Sequence, residues 1–79
     1  MVVSIKKWDW DDFRTVYTCQ ECMRDLLVYN HHEWDVEELK DCDHFYTLIL
    51  GRDEEIPCEE DEIEVVRTDP YRKYVICRK

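Results

Sequence analysis

The chain has 79 residues, 44% of them hydrophobic and 13% aromatic, and a net charge of −9. This length predicts one small domain (1–79) with a marginal core, and the apolar content excludes a disordered acidic tail. No apolar stretch approaches the ~20 residues that span a bilayer, and the acidity opposes direct binding to nucleic acid or to anionic lipid.

The first predicted element is a helix at about 10–28. Asp9 stands where an N-cap would, with Trp8 and Phe13 placed to form a hydrophobic staple around it. The β-branched residues in 15–19 weaken the helix propensity of its middle. Apolar and amphipathic side chains then recur at steps of three and four residues, which is the helical period: Phe13, Val16, Tyr17, Gln20, Met23 and Leu27.

A second, shorter helix is predicted at about 36–43. Asp35 is its expected N-cap, Glu38 completes a capping box, and Trp34 and Leu39 form the staple. The segment therefore repeats the pattern that begins the first predicted helix. We interpret the repeat as shared capping chemistry and not as a duplicated domain.

The remaining elements are strands. Gly51 ends an apolar run at 45–50, and Asp69-Pro70 marks a turn between two β-rich runs at 62–68 and 71–78, which predicts an antiparallel hairpin. A fourth, edge strand is expected at 2–5. The predicted fold class is α+β, with two helices packed on a three- or four-stranded, mainly antiparallel sheet.

Cysteine and histidine residues form a possible metal-binding set. Thiolate and imidazole groups suit zinc, and a Cys-x2-Cys pair can supply two tetrahedral ligands from one turn. The candidate ligands are Cys19, Cys22, His31, His32, Cys42 and His44. The alternative is that Cys19 and Cys22 are buried structural cysteines on one face of a continuous helix.

Acidic residues are concentrated in the middle of the chain. Residues 25–64 hold fifteen acids against two bases, a net charge of −13, whereas the other residues carry +4. Extended carboxylates repeat every ~3.3 Å, close to the phosphate spacing along a DNA strand. We predict a partner-binding surface made of Asp53, Glu54, Glu55, Glu59, Glu60, Asp61, Glu62 and Glu64. The alternative is a solvated acidic loop that only maintains solubility.

No motif predicts catalysis. Gly51 is the single glycine, so there is no glycine-rich phosphate loop, and carboxylates around Cys42 and His44 would disfavour a reactive thiolate. In size, acidity and lack of catalytic motifs, the chain resembles the short acidic inhibitors that phages and mobile elements make against restriction, CRISPR or repair machinery. Some of those inhibitors mimic DNA. The resemblance is compositional and carries no family motif.

The predicted function is therefore a non-enzymatic acidic inhibitor that occupies the basic, nucleic-acid-binding site of a partner protein. A structural zinc module for protein interaction is the alternative. We expect no cofactor for the inhibitor, zinc for the module, and a homodimer as one way to stabilise so small a core. The first residues, MVVSIKKWDW, do not form a signal peptide, so the sequence predicts a cytoplasmic protein (in the host cell if phage-encoded) with reduced thiols.

Overall fold

The computed structural model describes residues 4–79, which form seven β-strands, one turn of 3-10 helix and no α-helix. In chain order the elements are β1 (Ile5–Asp9), β2 (Arg14–Cys19), β3 (Asp25–Asn30), β4 (Asp35–Leu39), β5 (Phe45–Gly51), η1 (Glu60–Glu62), β6 (Ile63–Thr68) and β7 (Arg72–Arg78). A first antiparallel sheet has the strand order β1-β2-β3-β4, and a second has the order β5-β7-β6. The α+β prediction is wrong, because two antiparallel sheets take the place of helices on a sheet.

The predicted helix at 10–28 is instead the antiparallel hairpin of β2 and β3. β2 reads RTVYTC, and its β-branched and aromatic side chains favour a pleated strand. Five consecutive residues are buried in each strand, because both faces of this part of the sheet are covered. A strand covered on both faces has a continuous apolar sequence, so its side chains can also match a helical period.

The predicted helix at 36–43 is β4 and the loop that follows it. The aspartates predicted as N-caps make short-range bonds in turns and strands. Asp9 accepts a hydrogen bond from the Thr15 hydroxyl (2.7 Å), and Asp35 accepts one from the Val36 N–H (2.8 Å). Asp11 accepts the N–H groups of the second and third residues after it, which is the geometry of an Asx turn. Aspartate satisfies N–H groups in both settings, so its position alone does not indicate a helix.

The strands predicted at 45–50, 62–68 and 71–78 lie close to β5, β6 and β7. β6 and β7 form an antiparallel hairpin around Asp69-Pro70, and β5 pairs with the other edge of β7. Residues 2 and 3 of the strand predicted at 2–5 lie outside the described residues, Ser4 is not in a strand, and Ile5 is the first residue of β1. No helix in the described part of the chain is long and apolar enough to cross a membrane.

The core lies between the two sheets. Its buried side chains come from both sheets and from the loop that connects them: Tyr17, Cys19, Leu26, Leu27, Tyr29, Cys42, Phe45, Tyr74 and Ile76. Burial of these groups is the main favourable contribution to folding. The molecule is only 15 Å thick along its shortest axis, so this core is a single layer of side chains.

A buried carboxylate, Asp69, joins the sheets at one end of the core. Its Oδ2 accepts hydrogen bonds from the hydroxyls of Tyr29 in β3 (3.0 Å) and Tyr74 in β7 (3.1 Å). Its Oδ1 accepts the backbone N–H groups of Tyr71 and Arg72. Burial raises the pKa of Asp69, but these four bonds outweigh it and hold the pKa below its ordinary value. Burial, aided by the bond to Asp69, raises the pKa of both core tyrosines to about 12.

A disulfide between Cys58 and Cys77 ties the loop before η1 to β7. The expectation that all five thiols are reduced is therefore not met by the structure. The bond joins residues 19 positions apart. Closing a loop of this length stabilises a domain by about 3 kcal/mol through the lost entropy of the unfolded chain.

Asp69→Asn is expected to lower the free energy of unfolding by about 1–3 kcal/mol near neutral pH, because the hydroxyls lose a charged acceptor. A carboxylate with a depressed folded pKa stabilises the fold above its unfolded pKa, about 3.9, and loses this effect as the pH falls through the folded value. The difference between wild type and variant, measured by urea unfolding, should therefore shrink below about pH 4. Asp53→Asn in an exposed loop is the control, and an equal effect there would contradict the assignment.

Candidate metal centre

Four of the candidate ligands meet where the two sheets are connected. Cys19 ends β2, and Cys22 lies in the turn between β2 and β3. Cys42 and His44 lie in the loop that leads from β4 in the first sheet to β5 in the second. One ligand pair therefore belongs to a hairpin of the first sheet, and the other belongs to the connection between the sheets. We call these four residues the Cys3His cluster.

The spacing within the Cys3His cluster suits a tetrahedral ion. One ligand atom from each residue lies within 4.8 Å of all the others. The Cys19 and Cys42 sulfurs are 3.6 Å and 4.0 Å from His44 Nδ1. Zn–S bonds of ~2.3 Å and Zn–N bonds of ~2.0 Å place tetrahedral ligand atoms about 3.5–3.8 Å apart. Small side-chain movements would bring all four atoms to that separation, so these residues can hold a metal ion.

The turn at Cys19 has backbone hydrogen bonds that bring its two sulfurs together. The Cys19 N–H donates to the Arg24 carbonyl (3.0 Å), and the Met23 N–H donates to the Cys19 carbonyl (2.8 Å). Met23 has a φ of 60°, in the left-handed region that L-residues seldom adopt. This conformation reverses the chain directly after Cys22, so the Cys-x2-Cys pair lies on a turn and not on a helix.

The second ligand loop is also held by hydrogen bonds. The Cys42 N–H donates to the Phe45 carbonyl (3.0 Å), and the His44 N–H donates to the Cys42 sulfur (3.4 Å). Asp41 accepts bonds from both the N–H and the hydroxyl of Thr47 (3.0 and 2.9 Å). The Arg24 guanidinium donates to the Asp41 carbonyl (3.2 Å), which links this loop to the turn of the first pair. These hydrogen bonds together hold both ligand pairs next to each other.

Burial divides the Cys3His cluster into an inner and an outer half. Cys19 and Cys42 are buried, His44 is half-buried and Cys22 is exposed. A small cleft of about 120 Å³ opens beside Cys22 and Cys42. An ion can therefore enter from the Cys22 side, while the inner ligands are shielded from water.

The structure does not bring His31 or His32 to the cluster. Thr15 donates to Asp9, so its hydroxyl oxygen accepts a bond from His31 Nε2 (2.5 Å). Arg67 donates to His31 Nδ1 (2.6 Å). Burial, together with the Arg67 charge, lowers the pKa of His31 and favours this neutral form. His32 packs edge-on against the ring of Phe13, with ring centroids 5.3 Å apart.

The acidic residues singled out in the sequence lie around the connection from β5 to β6. Most of them are exposed, namely Asp53, Glu54, Glu55, Glu59, Glu60 and Asp61, which we call the acidic loop. Glu62 and Glu64 are half-buried, and Glu64 pairs with Arg78. The Cys58–Cys77 disulfide attaches the acidic loop to the second sheet.

No known protein family, curated protein or solved structure matches this chain. A closed set of three thiolates and one imidazole is a donor set that zinc binds in structural sites, with tetrahedral geometry and no position left for water.

Sequence reasoning missed two features of the structure, one at the Cys3His cluster and one away from it. The first is the left-handed Met23, and the run of β-branched residues that ends at Cys19 could have indicated a strand leading into a turn. The second is the partly buried hydrogen-bonded chain of Arg67, His31 and Thr15, for which the sequence carries no local signal. Both features depend on which strands become neighbours.

Met23→Gly is expected to raise the free energy of unfolding by up to about 1 kcal/mol. The left-handed region costs an L-residue roughly 1–2 kcal/mol, partly offset by the greater chain entropy of glycine. Gln20→Gly in the same turn is the control, because Gln20 does not have a positive φ and its replacement should lower stability. Urea unfolding measures both, and destabilisation by Met23→Gly would contradict the turn geometry.

Proposed function

We propose that this chain is a structural zinc module that supports protein interaction. The observation that carries the proposal is the meeting of Cys19, Cys22, Cys42 and His44 within 4.8 Å. Three thiolates and His44 Nδ1 would fill all four positions of a tetrahedral zinc ion. A site closed in this way has no exchangeable water, so its role is to hold the fold and not to catalyse a reaction.

The size of the domain supports this role. A 79-residue chain with a single-layer core has little stability to spare, and domains of this size commonly gain it from metals or disulfides. Zinc at the Cys3His cluster would clamp the β2–β3 turn to the connection between the sheets. Because ligands are assembled only in the folded chain, the free energy of zinc binding becomes free energy of folding.

Protein purified without chelators is expected to hold one zinc per chain by elemental analysis, and chelation should lower its unfolding temperature. Cobalt substitution should give the visible absorption of a tetrahedral thiolate site. His44→Ala should weaken metal binding at least tenfold, whereas His32→Ala, an exposed histidine outside the cluster, should not change it. Metal-free protein of unchanged stability, or equal effects of the two variants, would overturn the proposal.

A second candidate function is the binding of a basic, nucleic-acid-binding protein by the acidic loop. It is supported by the exposure of all six carboxylates, for which the described residues provide no ion-pair partner. Like charges held together need an offsetting interaction, and a cationic partner supplies one. The extended spacing expected for a DNA mimic is absent at η1, where a 3-10 turn rises only ~2.0 Å per residue. The attraction would therefore depend on charge density and not on a matched repeat.

We keep the cytoplasm as the proposed location, in the host cell if the gene is phage-borne, because three ligand thiols must stay reduced to bind zinc. Disulfides persist mainly in oxidising compartments, and the Cys58–Cys77 bond is the one feature that opposes this location.

Reversing Glu59, Glu60, Asp61 and Glu62 to Lys is expected to abolish partner binding, because attraction to a basic surface becomes repulsion. Tagged protein would capture the partner from a host extract, and a DNA duplex should displace it from the captured complex. The matched pair is Glu59→Lys with Glu60→Lys against Asp12→Lys with Glu33→Lys, which change the net charge equally. The second candidate function is wrong if both pairs weaken partner binding to the same extent. It is also wrong if the variant with all four acids reversed binds the partner with unchanged affinity at low salt.

A further inference from the structure

The outer face of the first sheet carries a second apolar layer. Trp8, Val16, Val28 and Glu38 are neighbours in one row across β1 to β4. Val16 and Val28 do not belong to the core between the sheets, yet they are only 0% and 4% exposed. Their cover therefore comes from the outer face, where Trp10 packs edge-on against Trp8 with ring centroids 6.2 Å apart.

The indoles are fixed in place although they remain about half exposed. The Trp8 ring N–H donates to the Thr18 hydroxyl (3.0 Å), and Lys6 Nζ lies 5.6 Å from the Trp8 ring centroid. The Trp10 N–H donates to the Arg14 carbonyl (3.2 Å), which extends the pairing of β1 and β2 by one residue. The Trp10 ring, packed against Trp8, therefore presents a half-exposed aromatic surface beside the sheet.

A groove of about 380 Å³ crosses this face and is lined by Trp10, Arg14, Val28, Glu37 and Glu38. The strand order puts Trp10 on the β1 side, the two glutamates on the β4 side and Val28 between them. One wall is therefore aromatic, the floor is aliphatic and the opposite wall is acidic.

The charges in this groove do not cancel. The Arg14 Nε donates to Glu37 Oε2 (2.6 Å), and this bond raises the pKa of Arg14. Glu38 is exposed and makes no hydrogen bond or ion pair with another side chain in residues 4–79. The groove therefore has one uncompensated negative charge facing an indole, so its complement is a single cation on an aliphatic stem.

We propose that this groove binds an arginine side chain of a partner protein. The guanidinium stacks on Trp10 and pairs with Glu38, and the methylene stem lies along the groove floor at Val28. Arginine fits better than lysine because its planar, weakly hydrated cation stacks on aromatic rings. The chain makes the same contact internally, where the Arg67 guanidinium lies 4.4 Å from the centroid of the Tyr29 ring. The proposal deepens the interaction role given above and uses residues outside the acidic loop.

The test is a titration of ¹⁵N-labelled protein with N-acetyl-arginine amide, followed by NMR at the tryptophan indole N–H signals. N-acetyl-citrulline amide, a neutral isostere, and N-acetyl-lysine amide are the comparison ligands. We expect arginine to shift the Trp10 signal in a saturable way, lysine to bind several-fold more weakly, and citrulline to give no saturable shift. Equal shifts from arginine and citrulline would overturn the proposal.

Variants locate the site. Glu38→Gln should weaken arginine binding about three- to fivefold, as expected for loss of one exposed ion pair. Trp10→Ala should weaken it more, unless exposure of the two valines unfolds the sheet, in which case Glu38→Gln decides. Glu55→Gln in the acidic loop and Trp34→Ala, a half-exposed indole not lining the groove, are the controls. The proposed arginine site is rejected if Glu38→Gln leaves arginine binding unchanged. It is also rejected if the control variants weaken arginine binding to the same extent.

Zinc content measured in the same samples separates this proposal from the metal centre. If the protein retains zinc but shows no arginine-specific shift, the arginine site is rejected and the zinc module is not. An arginine-specific shift in metal-free, folded protein supports the groove and rejects the zinc module.

Discussion

The attachment of one thin sheet to the other is the constraint on which the rest of this structure depends. A single layer of side chains separates the sheets, and polar or sulfur groups strengthen both ends of that layer. At one end, Asp69 accepts the hydroxyls of a tyrosine from each sheet, and Arg67 reaches from β6 to Tyr17, Tyr29 and His31. At the other end, the Cys3His cluster joins a hairpin of the first sheet to the connection between the sheets. The same requirement explains why polar residues are buried in so small a core.

This arrangement also accounts for how the chain tolerates its excess of acids. Four aspartates have a local structural role, because they accept hydrogen bonds that shape turns and strand ends. They are Asp9, Asp11, Asp41 and Asp69. Carboxylates that accept such bonds satisfy N–H and hydroxyl groups that would otherwise need another acceptor. Among the exposed carboxylates of residues 4–79 without such a task, six lie in the acidic loop and Glu38 lies on β4, and the others lie in turns and loops between strands: Asp12, Glu21, Glu33 and Asp43. The densest group of carboxylates without a structural use is therefore the acidic loop.

The sequence allowed part of this fold to be predicted. The strands near β5, β6 and β7 were accessible because Gly51 and Asp69-Pro70 end apolar runs that are too short for helices. The first sheet could not be predicted, because β2 and β3 are covered on both faces and their sequences also match a helical period. Asp9 and Asp35 match helix caps in the sequence, but they lie at the ends of strands. The ligand types of the metal centre were also visible. The sequence did not show which candidate ligands come together. Only the pairing of β2 with β3 places Cys19 and Cys22 on a turn, and only the strand order separates His31 and His32 from them.

The same geometry explains how the five cysteines are divided between a disulfide and free thiols. Cys19 and Cys42 belong to the core between the sheets, whereas Cys77 alternates with Ile76 and so faces outward from the second sheet. The sheet thus separates two sulfur chemistries: Cys77 pairs with Cys58 on its outer side, and the other three thiols gather with His44 at the junction. Three thiols cannot all form disulfides with one another, but three thiolates and an imidazole complete a tetrahedron. His44, two residues after Cys42, supplies the nitrogen that would complete a four-coordinate site with the three thiols.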